Sequence, residues 1–455
     1  MSGNQDCVLP LPKRQELLIK NAKAILGEQT SSGDAIAIID GEIKSIGNTA
    51  DLRRKFGKFD EEIDATDCLV VPGFVNNHSH IAMSLLRGLA EDLPLLDWLK
   101  NRIWPLEAKL KPWHIEVGAL LGSAEALLSG TTTITSIYFY DPSGSEASAA
   151  LSTGIRGVFA HGVFDWTEAR ALAATRSYVE HFHGKDSGRI RIATSPHAPY
   201  SCSPNLLKTI EDLRQSLNLE LGKTYPVLNT IHVAEARTEA KDIEKKYGVD
   251  VSKGVVSYLH SLGVIGPETI AAHCIHLTED DYVALQKSQT SIASCPVSNL
   301  KVGMGVANLQ KALSQNILVS LGTDGPASNN TLDMFETCKM ASLLAKGLSG
   351  YTTALSARES FSLATMSGAR SLHQNNDIGT LKEGKRADIV ILNLTSANAI
   401  PYFDPYNYLV YSAKSSDVRD VIVDGRVLVR NHALLTVNFE KLAQKVSKVV
   451  SEIQT

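Results

Sequence analysis

LVVPGFVNNHSH (residues 69–80) is an apolar, β-branched run that ends in two histidines separated by one serine. Its first half predicts a strand buried on both faces, since purely half-buried strands alternate polar and apolar residues. Residues two apart in a strand point to the same side, so His78 and His80 aim together from the tip. Imidazoles are uncommon in such runs, and the pair asks for a chemical reason. Working outward, the same pattern of apolar run, polar or glycine-bearing tip and longer helical stretch recurs. GTTTITSIYFY (130–140), GIRGVFAHGVFD (154–165), RIRIATSPHAPY (189–200) and VLNTIHVAEA (227–236) follow, then TIAAHCIHL (269–277), TSIASCPVSN (290–299) and ILVSLGTDG (317–325).

Eight strands alternating with helices predict a parallel sheet covered by helices and closed as a (β/α)8 barrel. An open doubly wound sheet is the rival. It usually shows Gly-x-Gly-x-x-Gly after its first strand, and this chain has none. The ends read differently. AIAIIDGEIKSIG (35–47) and VIVDGRVLVR (421–430) each centre on Asp-Gly, a hairpin-turn signal, and GKRADIVILN (384–393) is a further strand. The expectation is a small β-sandwich built from both chain ends: residues 1–70 give one half, 71–380 the barrel, and 381–455 the other half plus a closing amphipathic helix, FEKLAQKVSKVVSEI (439–453).

The 455 residues allow one large domain with an accessory one, and 44% apolar against 21% charged residues is a globular composition. A net charge of −4 speaks against a nucleic-acid or anionic-membrane surface. No stretch is long and apolar enough to span a bilayer, and MSGNQDCVLPLPKRQELL (1–18) lacks the apolar core of a signal peptide. Cysteines 7, 68, 202, 274, 295 and 338 are scattered without a Cys-x-x-Cys pair, which fits a reducing, cytoplasmic setting.

His232 closes the fifth run, His273 the sixth, and Asp324 the eighth, between Thr323 and Gly325. Barrels place active sites at the C-terminal ends of their strands. A lone His-x-His is a weak signal, but polar residues at the same end of separate strands are poorly explained by core packing. His78, His80, His232 and Asp324 form a mixed N/O donor set suited to one divalent ion, zinc foremost, with a position left for water. Zinc lowers the pKa of bound water, and Glu235, three residues past His232, is placed as proton shuttle. A solvated loop carboxylate is the commoner fate of a glutamate. His273 reads either as a fifth ligand or, preferred here, as a hydrogen-bonding group for the attacking water or developing oxyanion. His276 reads as structural.

Longer motifs then stand out in order: PGFVNNHSHIAMSLLRGLAEDLPLLDWL, WPLEAKL, GTTT, PHAPYSC, HVAEA, AAHCIHLT, SNLKVG and GTDGPASNNTLDMFE. Through them the chain resembles the amidohydrolase superfamily, in the branch of 5-methylthioadenosine/S-adenosylhomocysteine deaminases and triazine hydrolases. The resemblance implies His78, His80, His232 and Asp324 as ligands of a single metal, since the fourth run lacks the lysine that bridges two metals in other members. It implies Glu235, His273 and Asp324 as catalytic groups. Water would add to the purine carbon bearing the exocyclic amine, Asp324 taking a proton and Glu235 protonating a ring nitrogen before ammonia leaves. Trp98, which alone reads as core, is implied to hold the nucleoside and Glu107 its ribose hydroxyls, with His197 and Ser328 lining the pocket.

Two departures matter. Related deaminases carry an arginine where this chain has His161, which is expected to contact substrate from that position, and Arg170 and Arg176 are only near the place of a second. A guanidinium grips a carboxylate bidentately, so the loss argues against S-adenosylhomocysteine and for a small uncharged 5′ group. Relatives often have histidine at the position of Ser294. The leading expectation is an adenosine-type nucleoside deaminase, with no nucleic-acid or membrane partner, forming a homo-oligomer. A hydrolase of another N-heterocycle, such as a triazine, would keep the metal site and have little use for Glu107. A non-catalytic scaffold would have lost ligands that are all present here.

Overall fold

A computed structural model describes residues 6–27, 33–89, 91–93, 95–222 and 224–454, so the first five residues of the N-terminal stretch lie outside it. The eight runs form one parallel sheet in sequence order: Phe74–Ser79, Thr131–Tyr138, Arg156–Val163, Ile190–Pro196, Leu228–Val233, Thr269–His273, Ser291–Ser294 and Val319–Leu321. Its two ends meet. Asn76 Nδ2 donates to Thr323 Oγ1 at 2.7 Å, Thr323 N–H donates to Asn76 Oδ1 at 3.1 Å, and Asp324 N–H donates to the His78 carbonyl at 2.9 Å. This closes the (β/α)8 barrel. Val75, Val158, Ala193, Leu228, Ile270 and Ala293 fill its interior, and helices such as Pro112–Leu128, Pro204–Leu221 and Met334–Ser349 cover the outside.

The opening run differs from its reading as one strand. It divides at Gly73 into Cys68–Pro72, which pairs with Ile389–Asn393, and Phe74–Ser79, which enters the barrel. A side chain at position 73 would lie 2.1 Å from Thr132 Oγ1, so only glycine lets the chain pass from one sheet to the other here.

Two further sheets come from the chain ends. One holds Glu42–Gly47, Ala35–Ile39, Leu17–Lys20 and Glu61–Asp64; the other runs Ala433–Leu434, Arg426–Arg430, Val418–Val423, Ile389–Asn393, Cys68–Pro72, Ala24–Ile25. Ile19, Ile36, Ile38 and Ile63 from the first share a core with Val70, Ile389, Ile391 and Ile422 from the second, which makes the sandwich. Both Asp-Gly hairpin tips carry positive φ at each residue (Asp40 54°, Gly41 77°, Asp424 53°, Gly425 73°), the geometry of type I′ turns. The tips touch: a Cβ on Gly425 would meet Gly41 Cα at 2.4 Å. The closing helix Phe439–Gln454 buries Leu442, Val449 and Ile453 and packs on Pro112–Leu128. Among the described residues no helix is long and apolar enough to cross a membrane.

Candidate active site and metal centre

The barrel places His78, His80, His232, His273 and Asp324 at one end, all buried. Ligand atoms of His78, His80 and His232 lie within 4.8 Å of one another, as do those of His78, His273 and Asp324. Asp324 Oδ1 sits 3.2 Å from His80 Nε2 and 3.5 Å from His78 Nε2, and the Nε2 atoms of His80 and His232 are 3.4 Å apart. Three strand tips turn sharply to achieve this, with left-handed backbone at Ala234 (φ 50°), His273 (69°) and Asp324 (65°). Non-glycine residues pay for that conformation, and such strain collects at functional sites.

Neighbouring groups decide which nitrogen each ring presents. His80 Nδ1 lies 2.7 Å from the Ile137 carbonyl and His232 Nδ1 2.7 Å from the His197 carbonyl. A carbonyl only accepts, so each Nδ1 carries the proton and each Nε2 turns a lone pair inward. His78 has no hydrogen bond at either ring nitrogen despite complete burial. Asp324 is aimed in the same way: Ser298 and Ser328 donate to its Oδ2 at 2.6 and 2.7 Å, leaving Oδ1 towards the histidines. Lone pairs converging on a buried point, with an orphaned imidazole among them, fit a divalent cation.

Burial drives the titration of the centre. It lowers His78 to about 4 and holds His232 well below the usual imidazole range, with the neighbouring histidines adding to the effect. At His80 burial acts the same way, but the hydrogen bond and charge of Asp324 outweigh it and the net shift is upward. Glu235, 3.8 Å from His273 Nε2 through its Oε1, is raised by burial. His273 Nδ1 is tied to Asn299 Oδ1 at 2.8 Å, which fixes its ring.

One cavity collects His80, His232, Glu235, His273 and Asp324 together with Trp98, Glu107, His197 and Ser328. Glu107, on the turn of helix Trp104–Glu107, is 2% exposed, and its Oε1 has no protein partner. Burial raises it to about 7, against the opposing pull of the Tyr138 hydroxyl. His197 is lowered to about 3 by burial and then by the histidines around it, and its Nδ1 is 2.7 Å from Ser201 Oγ. Ser328 reaches the cavity, yet its hydroxyl is committed to Asp324.

His161 is not brought there. It ends as a buried residue of the third barrel strand, lowered to about 4 by burial beside Asp141, outside the cavity lining. Arg176 pairs with Glu220 on the surface. Ser294 is the last residue of the seventh strand, outside the cavity lining, where its carbonyl accepts the Gly322 N–H at 2.9 Å and holds the eighth strand to the seventh.

Other residues were not singled out from sequence. Ser298 and Asn299 lie in the SNLKVG motif, and Phe139 lines the cavity from GTTTITSIYFY. Glu239 is the least legible: 1% exposed, it accepts the Glu235 N–H on Oε2 at 2.8 Å. A carboxylate seven residues past a histidine on an unremarkable helix start carries no local signal.

Fold and centre together define a metal-dependent hydrolase built on a (β/α)8 barrel, of the class that cleaves C–N bonds. The chain belongs to the amidohydrolase family, whose model matches residues 69–428. It is 38% identical over 439 residues to a 5-methylthioadenosine/S-adenosylhomocysteine deaminase of Caldanaerobacter subterraneus subsp. tengcongensis, covering 95% of this chain and 97% of that one. It is 40% identical over 404 residues to a 5′-deoxyadenosine deaminase of Methanothermobacter thermautotrophicus, covering 88% and 90%. Among solved structures, an adenosine deaminase from Xanthomonas campestris with bound zinc superposes with a TM-score of 0.89 at 29% identity, covering 97% and 99%.

Proposed function

We propose that this protein is a hydrolytic deaminase of adenosine-type nucleosides, with one zinc ion held by His78, His80, His232 and Asp324. The observation that carries the reading is a single cavity joining the histidine–aspartate cluster, a buried Glu235–His273 pair and the buried carboxyl of Glu107, whose Oε1 has no protein partner. The deaminase names of the 38% and 40% identical relatives support it. The N/O donor set and the zinc of the 29% identical structure favour zinc.

A bound zinc ion would polarise water and lower its pKa towards neutrality. The protein supplies the rest. Asp324, its Oδ2 fixed by two serines, takes the proton released as water adds to the amine-bearing purine carbon. Glu235 delivers a proton to a ring nitrogen, its raised pKa favouring the form that carries one. His273, oriented by Asn299, faces the oxygen that develops charge. Trp98 and His197 hold the nucleoside, and Glu107 accepts its ribose hydroxyls. One water is consumed, one ammonia leaves, and the base becomes inosine-type.

The six cysteines are all buried, with no disulfide among the described residues, which supports a cytoplasmic setting. We further propose a homo-oligomer on the family resemblance, to be tested by sedimentation. The decisive assay is ammonia release by zinc-loaded protein from 5′-methylthioadenosine, 5′-deoxyadenosine, adenosine, S-adenosylhomocysteine, guanine, cytosine and a chlorotriazine, with Glu235→Ala as control. Turnover of adenosine-type nucleosides that Glu235→Ala abolishes is the expected result. Release from the triazine or a free base alone would overturn the reading.

A further inference from the structure

Glu146 is a buried carboxyl that the proposed chemistry does not use. It is 1% exposed, in the first turn of helix Ser145–Thr153, and lies outside the lining of the catalytic cavity. Burial, and then the nearby Asp141, raise it to about 8, so the fold bears a cost in keeping it there. Glutamate is rarely buried without partners that need it. Its hydrogen bonds show what it holds. Oε1 accepts the Ala82 N–H at 3.1 Å and the Ser136 hydroxyl at 2.9 Å, and Ser136 Oγ accepts the Ile81 N–H at 3.0 Å. These are the two peptide N–H groups that follow His80.

The other side of the same turn is held as closely. The carbonyls of Ile81 and Ala82 press on helix Pro112–Leu128 at Gly122 and Gly118, where a Cβ would come within 2.7 Å of the first and collide with the second. Ile81 and Ala82 are thus fixed between two glycines on one side and Glu146 with Ser136 on the other. Strand Thr131–Tyr138 supplies both Ser136 and the Ile137 carbonyl that fixes the His80 ring. The Glu146 N–H donates in turn to Asp141 Oδ2 at 3.0 Å, which anchors the brace. Resting on the metal-centre reading above, we propose that Glu146 is a positioning residue for the metal: through Ser136 and the 81–82 peptide it sets where His80 presents its Nε2.

The test is zinc affinity by competition with a chromogenic chelator, read beside the visible spectrum of the cobalt(II)-loaded protein and the urea midpoint of the metal-free protein. Removing a group that orients a metal ligand costs about 10–100-fold in affinity. Glu146→Ala is expected to weaken zinc by about that range, with a changed cobalt band. Glu146→Gln keeps an accepting oxygen and should restore most of the affinity and the wild-type band. Ser136→Ala leaves the Ile81 N–H without its acceptor and should weaken zinc in the same direction, which keeps the proposal open to test should Glu146→Ala fail to fold. A lowered metal-free midpoint in Glu146→Ala, with zinc affinity and cobalt spectrum as in wild type, would show a brace for the fold alone and overturn the proposal while the ligand set stands. Equal damage from Glu146→Gln and Glu146→Ala would overturn it too, since an acceptor oxygen would then not be what His80 needs. If the wild-type protein binds no zinc, or His80→Ala binds it as tightly, the metal-centre reading itself falls and takes the proposal with it.

Discussion

Glu239 holds Glu235 by the backbone: its Oε2 accepts the Glu235 N–H at 2.8 Å, one residue past the left-handed turn at Ala234. The carboxyl is buried, and burial raises it to about 8. It therefore braces a strained strand tip from inside the protein. Misplacing a reacting group by an ångström costs on the order of 10²-fold in rate. Glu239→Ala is accordingly expected to lower kcat by about that factor with metal content unchanged. Glu239→Gln keeps an acceptor oxygen and should retain most of kcat. Loss of metal in step with activity would show instead that the residue merely holds the fold.

Removing the metal should cost both activity and stability. Chelation is expected to abolish turnover and lower the melting temperature, and zinc should restore both. A ligand bound only to the folded state at 100 times its Kd adds about 2.7 kcal/mol. Elemental analysis should find one ion per chain, and His78→Ala and His232→Ala should lose it. Because imidazoles bind metal only when neutral, affinity should fall in acid. Full occupancy in His78→Ala would remove that residue from the proposed ligand set.

Much of the barrel was legible because its strands advertise themselves: each is an apolar run with a polar or glycine-bearing tip, and the candidate residues His232 in IHVAEA and Asp324 in LGTDG stand at two of those tips. The two Asp-Gly turns were equally plain, since type I′ geometry restricts the residues that can form it. Contacts between loops distant in sequence were not. Ser298 reaching Asp324, Asn299 orienting His273 and Glu239 bracing Glu235 depend on how tips converge, which no local pattern encodes. His161 shows the converse. It stands near a strand tip like the others, yet lies outside the cavity lining.

Barrel and sandwich are joined by a buried ion pair. Arg156, first residue of the third barrel strand, clasps Asp388 with Nε–Oδ2 at 2.7 Å and Nη2–Oδ1 at 2.9 Å, their side chains 4% and 3% exposed. Asp388 Oδ1 also accepts the Asp424 N–H at 2.8 Å. Removing one partner leaves the other charge buried, which costs about 3–5 kcal/mol. Asp388→Ala should therefore lower the urea midpoint strongly at an unchanged slope. A loss under about 1 kcal/mol would mean that Asp424, whose Oδ1 lies 3.7 Å from Arg156 Nη2, or entering water takes the place of the carboxylate.

Glu107 offers a prediction in pH. Burial raises its carboxyl from 4.5 to about 7, so its ionised form accumulates only as pH rises through that value. A carboxylate accepts hydroxyl protons on both oxygens, and hydrogen bonds to charged groups are worth about 1.5–3 kcal/mol. KM for a ribonucleoside should accordingly fall as pH rises through about 7. Stability moves the other way. The folded state holds this proton more tightly than the unfolded chain, so the group's contribution is complete below 4.5 and is lost as pH rises through about 7. Glu107→Gln should remove both slopes and raise KM about tenfold or more above neutrality. A 2′,3′-dideoxy nucleoside, with no hydroxyls to accept, should lack the KM limb even in the wild-type protein. If that limb persists with the dideoxy substrate and in Glu107→Gln alike, another group titrates and Glu107 does not grip the ribose.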